Sequence, residues 1–324
     1  MTGTDPLFMS SGDLIADRRY QWALDRLARG DLAGAADILT QALELAPAFA
    51  AAWFALGNVR HRCGDRSGAI AAFEKARDAD PEDFQGAQLQ LARLGSGRVT
   101  QAMTEAYVCR LFDQHAARHD TALVGHLAYR GPKILRDAVT SVMYAAGRKL
   151  RFGSMLDLGC GTGLGGAAFR PVVDWLTGVD LSPAMIAQSA MKGLYDRLAT
   201  AEIRDFLADE AANAAHYHLV LAADVFVYMN DLHPITTAIA RVLAPDGIFA
   251  FTVETYAGDG VNLLPTLRYA HGAVHVRDAL ADAGLTVAHL AAASVRTEKG
   301  APVEGLVVVA QPSTAMRAPA TSGG

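Results

Sequence analysis

Residues 155–163 have the sequence MLDLGCGTG, and this stretch is the strongest indication of the fold. An apolar run leads into three alternating glycines, Gly159, Gly161 and Gly163, and a further apolar residue follows. Glycine at these positions permits tight turning and lets a ligand approach the backbone. The pattern therefore predicts a buried strand, a tight turn and a helix whose first N–H groups favour an anionic group of a ligand.

A second acid follows at the spacing that nucleotide-binding sheets use. The stretch GVDLS at residues 178–182 places Asp180 at the end of the next predicted strand, 21 residues after Gly159. A carboxylate there can accept hydrogen bonds from the two hydroxyls of a ribose. The spacing alone therefore predicts a dinucleotide or an adenosyl cofactor.

Two cofactor classes compete for this turn. Gly161, Gly163 and Gly166 satisfy the G-x-G-x-x-G fingerprint of nicotinamide dinucleotide sites. Asp157, two residues before Gly159, disfavours a pyrophosphate and favours a cofactor that carries an ammonium group, because opposite charges attract. A nicotinamide-dependent oxidoreductase or epimerase therefore stays open as the weaker alternative.

The combined motifs resemble those of class I S-adenosylmethionine-dependent methyltransferases. The resemblance rests on DLGCGTG at residues 157–163, GVDLS at residues 178–182 and Met185, within about residues 100–311. It implies S-adenosylmethionine as cofactor, with Asp157 orienting the methionine end and Asp180 holding the ribose. It further implies that the glycine turn faces the methionine and that two apolar side chains flank the adenine: Gly159, Cys160, Gly161 and Gly163 for the former, Leu181 and Met185 for the latter.

Three further acids are candidates by the same resemblance. Glu202 and Ile203, placed at the end of the third strand, correspond to the acid and the apolar residue beside the adenine, and Asp205 competes for the acid's role. Asp224, after the fourth strand, either touches the cofactor's ammonium or the substrate, or caps the following segment. Cys160 is interpreted as a small turn residue rather than a nucleophile, because no base is recognisable beside it.

The amino-terminal region repeats with a period of 34 residues. Gly30-Asp31 recurs as Gly64-Asp65, and Pro47 recurs as Pro81. The second copy adds Trp53-x-x-Leu56-Gly57, and the whole resembles the tetratricopeptide repeat, in which small residues let paired helices approach closely. Joined to the motifs above, the chain resembles the tetratricopeptide-containing predicted methyltransferases.

These patterns predict an α plus α/β architecture in three parts. Helical repeats occupy residues 13–95, a Rossmann-like seven-stranded methyltransferase domain occupies residues 100–311, and a disordered tail occupies residues 312–324. Strands and helices alternate beyond Arg148, which argues for a mostly parallel sheet covered on both faces. Two late strands, about Leu285–Val295 and Val303–Ala310, are predicted to form an antiparallel hairpin.

The residues around a methyl acceptor are harder to predict. In methyltransferases of this kind a lead-in segment folds over the cofactor, and here it contains Phe112, Asp113, His119, Asp120, Tyr129 and Arg130. Tyr129 is the candidate to pack near the cofactor, and Arg130 is a candidate substrate contact. Arg268 and His271 follow the fifth strand, where an arginine could recognise a carboxylate and a histidine could act as base.

Composition narrows the setting. A formal net charge of −5 and a pI near 6.0 disfavour a general nucleic-acid binder. Three separated cysteines, and the absence of a signal-peptide pattern or an apolar run long enough for a membrane, predict a cytoplasmic protein without membrane attachment. No metal site is expected, because the close histidine pair His216-x-His218 has no third ligand nearby.

Four functions remain as hypotheses. The first is methyl transfer from S-adenosylmethionine to a small metabolite or carrier-bound acceptor, with the repeats packing on the domain or recruiting a partner. The second is methylation of a protein that the repeats recruit, and the third is an NAD-dependent oxidoreductase or epimerase. The fourth is a non-catalytic repeat scaffold joined to a domain that senses S-adenosylmethionine.

Overall fold

A computed structural model describes residues 10–99, 102–116, 128–298 and 300–313. The chain divides into two compact units, the first ending at Leu111 and the second beginning at Phe112. We call them the repeat unit and the sheet unit. The domain boundaries near residues 95 and 100 stay predictions, and so does the tail, because Thr100 and residues 314–324 lie outside the described residues.

Helices form the described part of the repeat unit. They are α1 (Leu14–Ala28), α2 (Leu32–Leu45), α3 (Ala50–Arg62), α4 (Arg66–Ala79), α5 (Ala87–Arg93) and the beginning of α6 (Glu105–His115). The two Gly-Asp pairs end one helix and start the next in the same way. Gly30 and Gly64 adopt φ angles of +80° and +82°, and the carboxylates of Asp31 and Asp65 accept the N–H groups of Gly34 and Gly68 at 2.9 and 2.8 Å. The structure thus confirms the repeat, because both copies have the same glycine turn and the same aspartate cap.

Close helix packing explains the small residues of the second repeat. A Cβ atom built on Gly57 of α3 would lie 2.6 Å from Cε1 of Phe73 on α4, so glycine is required at this crossing. Phe73 is completely buried, in one cluster with Phe54 of α3 and with Ala69 and Ala76 of α4. Burying such an aromatic side chain contributes about 1.5–3 kcal/mol to the free energy of folding.

The sheet unit alternates strands and helices. In chain order its elements are α7 (Gly131–Ala145), β1 (Phe152–Leu158), α8 (Leu164–Phe169), β2 (Val173–Asp180), α9 (Pro183–Met191), β3 (Arg197–Thr200), α10 (Ile203–Ala212), β4 (Tyr217–Ala222), α11 (His233–Val242), β5 (Leu243–Glu254), β6 (Val261–Leu263), β7 (Tyr269–His271), α12 (Ala273–Asp282), β8 (Leu285–Ala293), β9 (Thr297–Glu298), β10 (Ala301–Pro302) and β11 (Gly305–Pro312). Short 3-10 helices cover Arg170–Val172 and Phe226–Tyr228.

The main sheet has the strand order β3-β2-β1-β4-β5-β11-β8. Strands β1 to β5 pair in parallel, and β11 lies antiparallel between β5 and β8. This path of seven strands and its late hairpin confirm the predicted fold. Two short strands, β6 and β7, extend the sheet beside β5 and were not predicted.

Alternating side chains of the strands build a separate core on each face of the sheet. Leu156 and Leu158 of β1 face the helices α10, α11 and α12, whereas Met155 faces α7 and α8. The parallel order brings the carboxyl ends of β1, β2, β4 and β5 to one edge, which is where open α/β sheets bind ligands. Among the described residues, no helix is both long and apolar enough to cross a membrane.

Candidate active site

The glycine turn after β1 is packed on one side and open on the other. Gly159, Gly161 and Gly163 have φ angles of +59°, +53° and +90°. A Cβ on Gly159 would lie 2.6 Å from Cγ2 of Val225, whereas one on Gly161 would meet no atom within 4 Å. Because the backbone N–H of Cys160 is bonded to the carbonyl of Val179 at 3.0 Å, the turn is fixed in place with its open side at Gly161.

Asp180 closes the turn from the neighbouring strand. Its Oδ2 accepts the N–H of Gly161 at 2.8 Å, and its Oδ1 accepts the N–H of Ser182 at 2.9 Å. Burial raises the pKa of this carboxyl, and the nearby charge of Asp113 adds to the rise. Each carboxylate oxygen keeps a further lone pair, so the group can accept hydroxyl donors from a ligand on the open side.

Asp157 lies near the end of β1 and is packed against the first turn of α8. The side chain is buried, and its Oδ2 accepts the hydroxyl of Tyr195 at 2.6 Å. The same hydroxyl accepts the N–H of Gly166 at 3.2 Å, and a Cβ on Gly165 would lie 2.8 Å from Asp157 Oδ2. Burial raises the pKa of Asp157 to about 7. Asp157 and Tyr195 thus brace the first turn of α8, and no spacing motif pointed to Tyr195.

The end of β2 is held by the lead-in segment. Ser182 caps α9, accepting the N–H of Met185 at 3.1 Å, and its hydroxyl donates to the carboxylate of Asp113. Asp113 also accepts the N–H of Ala184 at 3.2 Å. Met185 is completely buried and Leu181 is half-buried. The lead-in therefore reaches the end of β2, while the lead-in candidates of the sequence, His119 and Asp120, lie outside the described residues.

Glu202 stands at the start of α10 rather than in a strand. β3 ends at Thr200, and the carboxylate of Glu202 accepts the N–H groups of Arg204 and Asp205 at 2.6 and 3.1 Å. Ile203 is buried, and Asp205 lies in the first helical turn. Glu202 is therefore the first acid after the strand. Its contact with an adenine, and that of Ile203, stay predictions.

The thiol of Cys160 is buried inside the turn. Burial raises its pKa well above the usual value, and the charges of Asp157 and Asp180 raise it further. A thiol in such surroundings stays protonated and is a poor nucleophile. This agrees with the interpretation of Cys160 as a turn residue.

Asp224 follows β4 in a left-handed conformation, with φ of +61°. Its N–H donates to Oγ1 of Thr252 at 2.9 Å, and both of its carboxylate oxygens accept Nη1 of Arg296 at 2.7 Å. Of the two roles left open by the sequence, capping is not what the carboxylate does here, since it bonds an arginine instead. The neighbouring Val225 forms the wall of the turn at Gly159.

Arg296 is the centre of a buried polar cluster. The side chain is 1% exposed; its Nη2 bonds Glu254, and its Nε bonds Glu298 Oε1 at 2.9 Å. Arg268 also bonds Glu298, and it lies 3.7 Å from Glu254. Burial raises the pKa of Glu254, with Arg296 and Arg268 opposing the rise. The polar cluster, defined as Asp224, Glu254, Arg268, Arg296 and Glu298, therefore sets three carboxylates against two guanidinium groups.

The sequence analysis named four candidates for the acceptor side, and two of them are associated with the polar cluster. The four are Tyr129, Arg268, Arg130 and His271, and the first two are the associated pair. Tyr129 is near the polar cluster, because burial and then the charge of Asp224 raise the pKa of its hydroxyl well above the usual value. Arg268 belongs to the cluster itself. Arg130 is exposed, and its backbone N–H donates to the carbonyl of Val295 at 2.7 Å.

His271 is completely buried on β7, away from the cluster's ion pairs. Its Nε2 lies 3.1 Å from the carbonyl oxygen of Phe226, so this nitrogen donates to the backbone. Burial lowers the pKa of the imidazole to about 4, which keeps it neutral at physiological pH. The structure thus commits one ring nitrogen of the predicted base to a structural bond.

Arg296 and Glu254 were not among the site residues predicted from the sequence. Glu254 ends an apolar strand, and Arg296 follows β8 in an otherwise weakly patterned connection. They meet because β11 returns between β5 and β8, a contact over 42 residues of chain. A charged residue at the carboxyl end of a buried strand is the one signal that could have indicated Glu254.

Comparison with known families agrees with both halves of the chain. The sequence model of the methyltransferase domain family matches residues 156–249, and that of the tetratricopeptide repeat matches residues 26–94. Methyltransferase-like protein 27 of Homo sapiens is 38% identical over 88 residues, which are 27% of this chain. The chain spans 34% of the length of that relative.

Solved structures give similarities at low sequence identity. An S-adenosylmethionine-dependent methyltransferase from Clostridium acetobutylicum is 18% identical with a TM-score of 0.46, over 62% of this chain and 99% of that one. The N-methyltransferase NodS from Bradyrhizobium japonicum, in complex with S-adenosyl-L-homocysteine, is 20% identical with a TM-score of 0.42, over 55% of this chain and 85% of that one. On its two family matches, the chain joins tetratricopeptide repeats to a methyltransferase domain.

Proposed function

We propose that the sheet unit transfers a methyl group from S-adenosylmethionine to a small metabolite or carrier-bound acceptor. The observation that carries the proposal is a glycine turn that is open at Gly161 and joined there to the carboxylate of Asp180. The match of residues 156–249 to the methyltransferase domain family supports the same reaction.

The residues around the turn suit an adenosyl sulfonium. The remaining lone pairs of Asp180 would accept the ribose hydroxyls, and the free space at Gly161 leaves room for the chain that joins ribose and methionine. Buried carboxylates favour a cationic ligand, since an opposite charge nearby stabilises their ionised form. Leu181 and Met185 would lie on the adenine side, with Glu202 as its polar partner.

Two observations disfavour a nicotinamide dinucleotide. Dinucleotide-binding sheets of the 3-2-1-4-5-6 type are parallel, whereas here the antiparallel β11 separates β5 from β8. In addition, the carboxyl of Asp157 stands two residues before Gly159, where a pyrophosphate would meet further negative charge.

In this proposal the polar cluster borders the acceptor. When bound, the cofactor supplies an electrophilic methyl on sulfur, so the chain's task is to align the acceptor and exclude water. Val225 packs against the glycine turn at Gly159, and the preceding residue, Asp224, belongs to the polar cluster. Tyr129 would donate a hydrogen bond to the acceptor, because its hydroxyl stays protonated. Glu254, with its raised pKa, would take up a proton from an acceptor that must lose one.

Arg268 places a condition on the chemistry of the acceptor. We retain it as a substrate contact, but its guanidinium already bonds Glu298. An acceptor carboxylate would therefore compete with that side chain for the same donor. The condition favours acceptors whose reactive atom is neutral or cationic near the cluster.

Calorimetry with S-adenosylhomocysteine tests the cofactor. We expect saturable binding to the intact protein and binding about 10–100-fold weaker in Asp180→Ala, the loss expected for hydrogen bonds to a charged group. Asp174→Ala is the matched control: Asp174 lies on the same strand β2, pairs with Arg151 at the surface, and should leave binding unchanged. Saturation by reduced nicotinamide dinucleotide, with none by S-adenosylhomocysteine, would overturn the proposal.

A protein acceptor is the second candidate, and one observation favours it. Helix α1 of the repeat unit exposes three large apolar side chains, Leu14, Ile15 and Trp22, which are 85%, 61% and 54% exposed. Repeat arrays present such surfaces to partners, and exposed apolar residues in a group are typical of interaction sites. If the repeats recruit the acceptor, Trp22→Ser should lower methylation of that protein while leaving binding of S-adenosylhomocysteine unchanged.

We also place the reaction in the cytoplasm. Within the described part of the chain, Cys63, Cys109 and Cys160 form no disulfide, and disulfides are rare in proteins of reducing compartments. Fractionation of cells that express the chain would check this, and recovery in an oxidising compartment would contradict it.

A further inference from the structure

Three side chains outside the polar cluster bring together ligand atoms that suit a metal ion. Asp231 and His233 stand at the beginning of α11, and His275 lies in the first turn of α12. One nitrogen or oxygen atom from each lies within 4.8 Å of the others. The imidazole rings of His233 and His275 meet edge to face, with centroids 5.2 Å apart. We call these three residues the His-Asp triad.

His233 is held between two carboxylates. Its Nδ1 lies 2.8 Å from Oδ1 of Asp231, and its Nε2 lies 3.4 Å from Oδ2 of Asp282. With an ion between Nδ1 and Asp231, the ring proton would be on Nε2, directed at Asp282. Metal-bound histidines usually have this arrangement, in which the second nitrogen donates to an outer carboxylate that orients the ring.

His275 offers its Nε2 to the same point. This nitrogen accepts the backbone N–H of Leu232 at 3.5 Å, which is the outer limit of a hydrogen bond. A bond that long holds the lone pair weakly, so an ion can replace it at little cost. The same contact shows that Nε2 of His275 is turned towards the loop that carries Asp231 and His233.

We propose that the His-Asp triad binds a divalent transition-metal ion of the zinc type. Two imidazole nitrogens and one carboxylate are donors that Zn²⁺ and its neighbours prefer, with a fourth position for water. Tetrahedral coordination places ligand atoms about 3.3 Å apart, so the widest of the present separations must shorten. Asp231 is exposed and precedes α11, so its side chain is the ligand least restrained by packing.

The ion would hold the acceptor side of the sheet unit together. His275 stacks on His271, with centroids 5.5 Å apart, and His271 in turn bonds the carbonyl of Phe226. Phe226 belongs to the segment between β4 and α11, which begins with Asp224 of the polar cluster. A metal on the triad therefore joins α12 to the carboxyl-terminal end of that segment, and the stacked His271 continues the contact to Phe226 near its other end. The site is structural, because none of its ligands belongs to the glycine turn or to the polar cluster.

Zinc titration of the full-length protein tests the proposal. After removal of metals with a chelator, we expect calorimetry to show one Zn²⁺ per chain with micromolar or tighter affinity, and thermal unfolding to shift upward with Zn²⁺. His233→Asn and His275→Gln should each weaken binding at least tenfold. His289→Gln, a partly buried histidine on β8, is the matched control and should bind as the unchanged protein does.

Two results would overturn the site. One is the absence of saturable Zn²⁺ binding, and the other is equal binding by His275→Gln, His233→Asn and the control. Cobalt distinguishes a histidine that binds the metal from one that only supports the fold. Four-coordinate Co²⁺ absorbs visible light strongly, and this absorption depends on its ligands. That absorption should appear with the unchanged protein and disappear with both triad variants, while binding of S-adenosylhomocysteine reports independently on the cofactor site.

Discussion

The repeat unit and the sheet unit each bury an aspartate, and the two are held in different ways. Asp83 of the repeat unit accepts the N–H groups of Ala87 and Gln88 at 2.6 and 3.1 Å, four and five residues along the chain. Asp157 of the sheet unit is bonded instead to Tyr195, 38 residues away. Burial raises the pKa of both to about 7. Asp83 is therefore held by residues that are near it in the chain, whereas Asp157 is held by a residue that is distant in the chain.

Ion pairs repeat the contrast. Arg26 and Asp31 are five residues apart and largely exposed at 53% and 37% of their side chains. Arg296 and Asp224 are 72 residues apart, and Arg296 is 1% exposed. A buried charge depends on its partner, whereas an exposed one is solvated by water. Loss of a charge should therefore lower the unfolding free energy more in the polar cluster than at an exposed pair.

Replacing the central arginine should have the largest effect. Arg296→Met leaves three carboxylates without their shared cation, and breaking a buried pair in this way costs about 3–5 kcal/mol of unfolding free energy. Arg26→Met in the repeat unit should cost no more than about 1 kcal/mol. Urea titrations followed by circular dichroism measure both. Equal losses in the two variants would end the contrast between the units.

Two glycines with positive φ separate backbone strain from packing. Gly159→Ala forces a residue at φ of +59° and brings its Cβ against Val225, so we expect strain of about 1–2 kcal/mol plus about 1–3 kcal/mol of overpacking. Gly30→Ala, at φ of +80° with no atom within 4 Å of the added Cβ, should show the strain alone. Thermal unfolding of both variants checks this, and a milder effect at Gly159 would contradict the packed wall of the turn.

The buried aspartates should make stability depend on pH. Since the folded pKa of about 7 exceeds the usual 3.8 for Asp83 and Asp157, the folded chain keeps protons that the unfolded chain releases. Their contribution is complete below pH 3.8 and is lost as the pH rises through 7, by up to about 1.4 kcal/mol per pH unit and group.

Substitution separates the two groups in that pH window. Asp83→Asn and Asp157→Asn should each flatten the fall in unfolding free energy between pH 4 and 7. Tyr195→Phe should extend the fall to higher pH, because the hydroxyl bond of Tyr195 lowers the pKa of Asp157 and its loss raises that pKa. Urea titrations at a series of pH values measure the slopes, and stability that rises with pH in this window for the unchanged protein, but not for the asparagine variants, would refute the assignment.

The smallest effect concerns two helix caps. Asp31→Ala and Glu202→Ala each remove a carboxylate that accepts backbone N–H groups, at a cost of about 1 kcal/mol. Glu202→Ala should in addition weaken binding of S-adenosylhomocysteine severalfold if its carboxylate also holds the adenine. Calorimetry decides the point: unchanged affinity in Glu202→Ala would leave Glu202 with a structural role, as Asp31 has.

Features encoded by local spacing were predictable from the sequence. The period that relates Gly30-Asp31 to Gly64-Asp65 is a consequence of one helix pair repeating, and it predicted the paired helices. The caps that Asp31 and Asp65 form at the second helix of each pair were found in the structure. Likewise, Gly161 and Asp180 follow consecutive parallel strands, so their meeting at the sheet edge follows from chain order. The strands β6 and β7, three residues each, are too short to show a period, and they were missed.

Features built by tertiary return of the chain were not predictable. Arg296 reaches Asp224 and Glu254 because β11 inserts between β5 and β8, and no sequence spacing encodes that insertion. The His-Asp triad was missed for the same reason, since His275 comes from a helix 42 residues beyond His233. Motif searches detect ligands that share one helix or one loop, as Asp231 and His233 do, but His275 lies on a different helix.

The most direct test of the cofactor site is a crystal structure of the protein grown with S-adenosylhomocysteine. We expect the ligand in the space at Gly161, with its ribose hydroxyls within hydrogen-bond distance of the carboxylate of Asp180. A site left empty at saturating ligand, or a pyrophosphate in that space after growth with a dinucleotide, would contradict it.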